Sequence, residues 1–419
     1  MAQWDPIKKT ESNNYFCVAP WVHQYIGPPG DVKPCCVYEY THSLGNLKEN
    51  TLAEIWNNEK TKQFRLDLLN GVKRPECTWC NDRSTPMKNS MNDFYFAKPE
   101  IKDIVAKTEQ DGSVKEHKLF YMDVRFNNLC NFRCRSCGSH FSTSIAADEK
   151  ALNPNVNVGF HYPGKTEDQA YEEMEPHFAN LLEVYFAGGE PMMQKEHYQT
   201  LEKLVEVGNT DCIIRYSTNF SKLKLGKWDV VPYWKNFKTV RVLASVDASY
   251  ERGEYWRKGT IWSDIVKNRQ RMLEECPNVC FMLSPTISWV NLLNWFDLHK
   301  EWTDLGYINV DDVVLNELIT PSHLCMKNVP EWKKQIFAKA FDEHFEWMIS
   351  KNASGWALVK LSAAKDFMLS EVNAKDSFPS NEFHAHMVRY DVLRNEKFFD
   401  VFPEHLDMKE YMESQGYKF

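Results

Sequence analysis

Between residues 118 and 318 the chain alternates short aromatic or β-branched runs with longer stretches of helical period. The runs LFYMDVRF (119–126), LLEVYFA (181–187), CIIRYST (212–218), TVRVLASVD (239–247), VCFMLSPTI (279–287) and INVDDVVLN (308–316) predict six strands. Helices are predicted between them over 138–149, 195–208, 262–275 and 291–304. Strands alternating with helices imply right-handed crossovers and a parallel sheet or barrel. Six repeats rather than eight make that barrel a partial one.

The flanks read differently. Residues 1–96 are rich in turns, IGPPGD among them, with one helix predicted over 51–69 on the stripe Leu52, Ile55, Trp56, Phe64 and Leu68. The charged stretch 97–117 reads as a connector or an exposed helix. From 330 to 419 the pattern is helical, with Ile336, Phe337, Phe341, Phe345 and Met348 as one stripe. The expected architecture is α/β: a partial parallel (β/α)6 TIM-like barrel over 118–329, an N-terminal cysteine-rich module over 1–96, a linker over 97–117 and a helical C-terminal extension over 330–419.

Composition narrows the function. Apolar residues make up 43% of the 419, enough for a sizeable core without disulfides. Fifty basic against 58 acidic residues give a net charge of −8, which argues against a protein held to nucleic acid by bulk phosphate attraction. The 14 Trp and 25 Phe are read as core, not as base-stacking platforms. No 18-residue apolar run predicts a membrane span, and MAQWDPIKKT does not read as a signal peptide, so a cytoplasmic protein is expected. Twelve cysteines then imply a reducing compartment and not a disulfide framework. Cys212, Cys276, Cys280 and Cys325 are scattered and read as small buried hydrophobes, whereas the clustered thiols read as ligands.

Directly after the first predicted strand stands Cys130-Asn-Phe-Arg-Cys134-Arg-Ser-Cys137. Three thiolates on so short a loop can wrap one face of a metal cluster. A cubane of four irons then keeps one iron open to a further ligand. Arg133 and Arg135 are expected to offset the cluster's negative charge. The competing reading of the same spacing is a zinc site completed by His140.

The loop resembles that of the radical S-adenosylmethionine enzymes. Three further segments carry the resemblance: Gly188-Gly189-Glu190-Pro191, Ser217-Thr218-Asn219, and Ser245-Val246-Asp247 followed by Tyr255-Trp-Arg257-Lys-Gly259. It implies that Cys130, Cys134 and Cys137 hold a [4Fe–4S] cluster whose open iron binds S-adenosylmethionine. It also implies that Gly188, Gly189, Glu190, Ser217, Asn219, Ser245, Asp247 and Arg257 bind that cofactor, with Ser245 and Arg257 on the methionine carboxylate. Reductive cleavage would release a 5′-deoxyadenosyl radical that abstracts hydrogen from a substrate. Ser136 stands where that family often has an aromatic residue.

In the N-terminal region Cys17 is followed by twelve residues, Gly30, four residues and Cys35, and later by Cys77-Thr-Trp-Cys80. Four thiolates suffice for a tetrahedral zinc or a fully ligated [4Fe–4S] cluster, and Cys36 competes with Cys35 as a ligand. With LGNLKENTLAEIWN between the pairs, the region resembles the SPASM and twitch modules that accompany many radical S-adenosylmethionine enzymes. Those modules normally follow the radical domain, and here the segment precedes it. The resemblance implies one auxiliary [4Fe–4S] cluster on Cys17, Cys35, Cys77 and Cys80.

The enzyme so expected would crosslink, epimerise or oxidise a peptide or protein side chain, with a reductase, flavodoxin or ferredoxin as electron donor. A small-molecule dehydrogenase or epimerase acting on a sugar or nucleoside is the alternative, and a non-catalytic zinc protein the alternative of another class. Cys325, Glu317 and His323 after the sixth predicted strand, and Asp123 and Arg125 on the first, complete the candidates. The residues' own chemistry reads Cys325 as a buried thiol and Glu317 and His323 as solvated loop.

Overall fold

The computed structural model describes residues 4–81, 87–372 and 380–419, so 82–86 of the expected module and 373–379 of the expected extension lie outside it. The chain is α/β, and the strands of its larger sheet pair mostly in parallel. It divides into two compact units: Met1–Asn128 with Phe160–Arg215 and Pro232–Val240, and Leu129–Gly159 with Tyr216–Val231 and Arg241–Phe419.

In the first unit, strand β1 (His23–Ile26) pairs antiparallel with β2 (Asp31–Lys33), which pairs antiparallel with β3 (Gly45–Asn46). On its other side β1 runs parallel to β4 (Tyr121–Val124), and β4 runs parallel to β5 (Glu183–Phe186). Every residue of β1 and β4 is buried, as expected of strands covered on both faces. The strand β1 lies outside the six runs that the sequence pattern predicts. Its His23 and Gln24 break the apolar run, yet the His23 ring stacks on Tyr121 at 4.1 Å and its Nδ1 lies 2.9 Å from the Tyr121 carbonyl.

The helix expected over 51–69 is two helices, Leu52–Trp56 and Glu59–Leu69. A capping box of Thr51 and Glu54 starts the first, and Asn58 accepts from the Thr61 N–H at 2.9 Å to start the second. The stripe is nonetheless buried throughout, and Arg65, fully buried, lies over the Trp56 ring at 4.3 Å. Within 97–117 a helix forms over Pro99–Ala106 and buries Ile101, Ile104 and Val105.

In the second unit, Arg241–Ala244 pairs in parallel register with Cys280–Leu283. The run expected as a sixth strand is reduced to a single bridge from Leu283 to Val313 and the short pairing of Thr286–Ile287 with Asn316–Glu317. Asp312 explains the loss. Its carboxylate accepts from the Asn309 N–H at 2.8 Å and closes a turn where the strand would run. Cys280 is exposed, not core, because its register partner Arg241 lies on the outward face.

Helices Glu331–Ser350, Gly355–Leu369, Asn381–Arg394 and Leu406–Ser414 make up most of the chain's end. In the first of them Ile336 is exposed, and the buried face is Phe337, Phe341, His344 and Met348. Among the described residues no helix is long and apolar enough to cross a membrane.

Candidate functional site

The first unit gathers four thiols. Cys17 precedes the turn Ala19–Val22, Cys35 follows β2, and Cys77 and Cys80 lie in the successive turns Pro75–Cys77 and Thr78–Asn81. All four line one small pocket whose walls include Tyr38, Phe64 and Leu68. Burial pushes the Cys17 and Cys77 thiols up to about 12, with neighbouring sulfurs adding to the shift, and raises Cys35 as well. Sulfurs massed within apolar walls ionise together only if a cation compensates them, which a metal group would supply. This donor set fits such a group.

Burial raises the thiol of Cys36, next to Cys35, and the Asp123 carboxylate on β4 lies close enough to add to the shift. Asp123 is fully buried and ion-paired to Arg125, whose guanidinium lies 4.3 Å from the centre of the Tyr25 ring. Burial raises the Asp123 carboxyl above the usual range although Arg125 opposes the shift.

Gly188, Gly189 and Glu190 belong to the same unit. Gly188 has φ +111°, and a Cβ there would stand 2.7 Å from the Arg125 Cβ, so only glycine fits. The Gly189 N–H reaches the Asn127 carbonyl at 3.4 Å. Glu190 is wholly buried, and its carboxylate accepts from the Met192 N–H at 3.1 Å, capping the turn Pro191–Met193.

The second unit holds the three-cysteine loop. Cys130 is half-buried, Cys134 buried and Cys137 exposed. Ser142 caps the helix Thr143–Leu152, shorter than the expected 138–149 at its start, and also donates to the Phe132 carbonyl at 2.6 Å. Ser144 holds the Cys130 carbonyl at 2.6 Å. Across the loop, Arg133–Cys134 pairs antiparallel with Arg257–Lys258. Gly259 permits that approach: with φ +108°, a Cβ would meet the Asn131 carbonyl at 2.7 Å.

Among the described residues, backbone and side-chain donors reach the loop sulfurs. The Phe132 N–H lies 3.4 Å from Cys130 Sγ, Asn219 Nδ2 lies 3.8 Å from the same atom, and Arg257 Nη1 lies 3.8 Å from Cys134 Sγ. Arg257 also forks onto Asp247, with Nε and Nη2 at 2.6 and 2.9 Å from its carboxylate oxygens. Asp247 in turn accepts from the Thr286 N–H at 2.8 Å. Burial raises the Cys134 and Cys137 thiols, and Arg257 works against it in both. Donors directed at sulfur stabilise and tune thiolate-held clusters, so this donor set fits one too.

Beside the loop, Phe132, Asn219, Ser245, Asp247, Arg257 and Ile265 line a second small pocket. Four residues singled out from the sequence are thus brought together. The Ser245 N–H bonds the Thr218 carbonyl at 2.8 Å, which sets the ends of two adjacent strands level, and Ser217 precedes Thr218 on the strand Ile213–Thr218. Asn131, which the sequence did not single out, accepts from Asn219 at 2.9 Å and donates to Ser221 at 3.0 Å.

Other candidates resolve as follows. His140 is exposed, and Glu317 sits half-buried in a two-residue strand. His323 is buried, not solvated, 3.7 Å from Glu382 and with its ring 5.0 Å from that of His386. Cys325, Cys212 and Cys276 are buried, as their scattered positions implied. Among the described residues no group of three or more His, Cys, Asp or Glu side chains is placed to hold a metal ion in the conformation seen.

Residues 17–82 match the family model described as the SPASM iron–sulfur cluster-binding domain. Among solved structures, native anSMEcpe with bound AdoMet aligns with a TM-score of 0.39 at 18% identity, over 54% of this chain and 60% of that one. Native anSMEcpe with bound AdoMet and Cp18Cys peptide aligns at 0.37 and 15%, over 54% and 59%. The chain thus spans less than two thirds of these neighbours. No curated protein matches the sequence. By its cysteine spacing and the matching model, the segment 17–82 is similar to the SPASM iron–sulfur cluster-binding domain.

Proposed function

We propose that the chain is a radical S-adenosylmethionine enzyme with two [4Fe–4S] clusters, acting on a peptide or protein side chain. The observation that carries the reading is the second unit's arrangement. A three-cysteine loop with N–H donors on two of its sulfurs lies beside a pocket lined by Asn219, Ser245, Asp247 and Arg257. Cys130, Cys134 and Cys137 would hold the cluster, which when bound would supply the electron for reductive cleavage of S-adenosylmethionine. Around it, Asn219 and Arg257 donate to the ligating sulfurs, and Asp247 keeps the Arg257 guanidinium in one orientation. Ser245 and Asn219 offer polar groups to the cofactor's amino-acid end. Cys17, Cys35, Cys77 and Cys80 hold the auxiliary cluster, while Cys36 lies near Asp123. The peptide substrate rests on the SPASM match, since modules of that kind often accompany peptide-modifying enzymes.

Anaerobic reconstitution tests the reading. The wild-type chain should bind about eight irons and form 5′-deoxyadenosine with a reductant. Changing Cys130, Cys134 and Cys137 to Ala should remove about four irons and all 5′-deoxyadenosine. Surviving cleavage, or a colourless protein holding zinc, would overturn it.

A further inference from the structure

The cysteine loop is gripped from a place that neither its sequence nor the SPASM match indicates. Arg133 and Arg135 flank Cys134, and the charges expected to face a cluster instead meet carboxylates. Arg135 is completely buried; its Nη2 lies 2.7 Å from both Asp391 and Glu396, and its guanidinium lies 3.9 Å from the centre of the Tyr255 ring. Arg133 pairs with Asp148 at 2.8 Å. Arg394, also buried, binds Asp148 at 2.7 Å and donates to the Arg133 carbonyl at 2.8 Å. Lys258, on the strand opposite Cys134, reaches Glu396 at 2.6 Å.

Asp391, Arg394 and Glu396 all come from one helix end. The helix Asn381–Arg394 stops at Asn395, whose φ of 51° is the left-handed conformation that Asn tolerates better than most residues. The Glu396 N–H folds back to the Asp391 carbonyl at 2.9 Å, which sets both carboxylates toward Arg135. Asp391 is itself fixed, accepting from the Tyr255 hydroxyl and the Phe398 N–H at 2.7 and 2.8 Å.

We propose that this helix end, Asp391 to Glu396, is a positioning device that holds the loop Cys130–Cys137 in its ligating conformation. The tail touches no sulfur in the contacts described; it acts through the arginines on either side of Cys134. Ion pairs suit this task better than apolar packing. Buried charges tolerate few arrangements, so they specify one loop geometry even where they add little net stability. The proposal rests on the reading of the loop as a cluster site, and its test separates the two.

The test compares Asp391→Asn and Glu396→Gln, each nearly isosteric, with wild type in the full-length chain. Before reconstitution, alkylation of each cysteine is timed by peptide mass spectrometry. Cys134 and Cys137 should label on the order of tenfold faster in the variants, while Cys17 and Cys35 keep their rates. Asp391→Glu should recover part of the protection. After anaerobic reconstitution, the electron paramagnetic resonance signal lost in the triple-alanine variant should shift, and the auxiliary signal should stay. Unchanged labelling in both variants overturns the proposal. So does faster labelling at all cysteines with a lower unfolding midpoint, which marks general loosening. If Asp391→Asn does not fold, Glu396→Gln decides. Selective labelling in a chain that takes up no iron supports the positioning role and refutes the cluster reading alone.

Discussion

The two cysteine sites differ in what surrounds sulfur. Around Cys17, Cys35, Cys77 and Cys80 the walls include Tyr38, Phe64 and Leu68. At Cys130 and Cys134 the Asn219 amide and the Arg257 guanidinium reach sulfur, the latter fixed by the Asp247 carboxylate. Apolar walls favour a closed group that is content with its own ligands. Ordered polarity suits a centre where charge must be received and a further ligand bound.

The contrast breaks most readily at its two supports. Arg257→Ala would strand the buried Asp247 carboxylate and should cost about 3–5 kcal/mol in urea unfolding, with Arg257→Lys costing less. Phe64→Ala, in the wall of the other site, should cost a similar ~3–5 kcal/mol. The two separate in salt: the loss at Phe64 is mainly lost packing, with the Arg74 guanidinium 5.7 Å from its ring centre as a smaller part, and should vary less with ionic strength than the loss at Arg257. A cost below about 1 kcal/mol at Arg257 would show that its ion pair orders nothing.

Next in size is a response to acid. Burial holds His23 in the first unit at about 4 and His386 in the second at about 3. Both are lowered from the unfolded value near 6.5, so the unfolded chain takes up protons first as pH falls. Their contribution is complete above pH 6.5 and drains away from there toward pH 4 for His23 and pH 3 for His386. Urea midpoints at pH 7, 5 and 4 should fall in that order, and His23→Gln should flatten the fall. Equal slopes for wild type and variant would exclude His23 as a source.

The smallest effects are single hydrogen bonds. Thr51→Ala removes one half of the capping box and should cost ~1 kcal/mol, with no change in loop labelling. Asn219→Ala should cost a similar ~1 kcal/mol but should also alter the resonance signal of any cluster reconstituted on the loop, since its amide reaches Cys130 Sγ.

Where sequence reading succeeded, the signal was local. The alternating run ending in Ser217-Thr218 is a strand, and the stripe from Leu52 to Leu68 is buried although Asn57 and Asn58 split its helix. The candidate residues Asn219, Ser245, Asp247 and Arg257 share one pocket because each follows the end of a strand or lies near one. What stayed hidden was set by partners remote along the chain. The strand His23–Ile26 depends on Tyr121, and the run 308–316 yields to the turn closed by Asp312. Arg135 finds Asp391 across 256 positions, a distance over which no spacing rule operates.

The parallel seam between His23–Ile26 and Tyr121–Val124 has a consequence for how the polypeptide can be divided. A fragment begun at residue 118 would present the bare amides and carbonyls of Tyr121–Val124 as a sticky border, inviting pairing with other copies. The opening hundred residues are thus no detachable cassette: without them the sheet would have an unfinished hem.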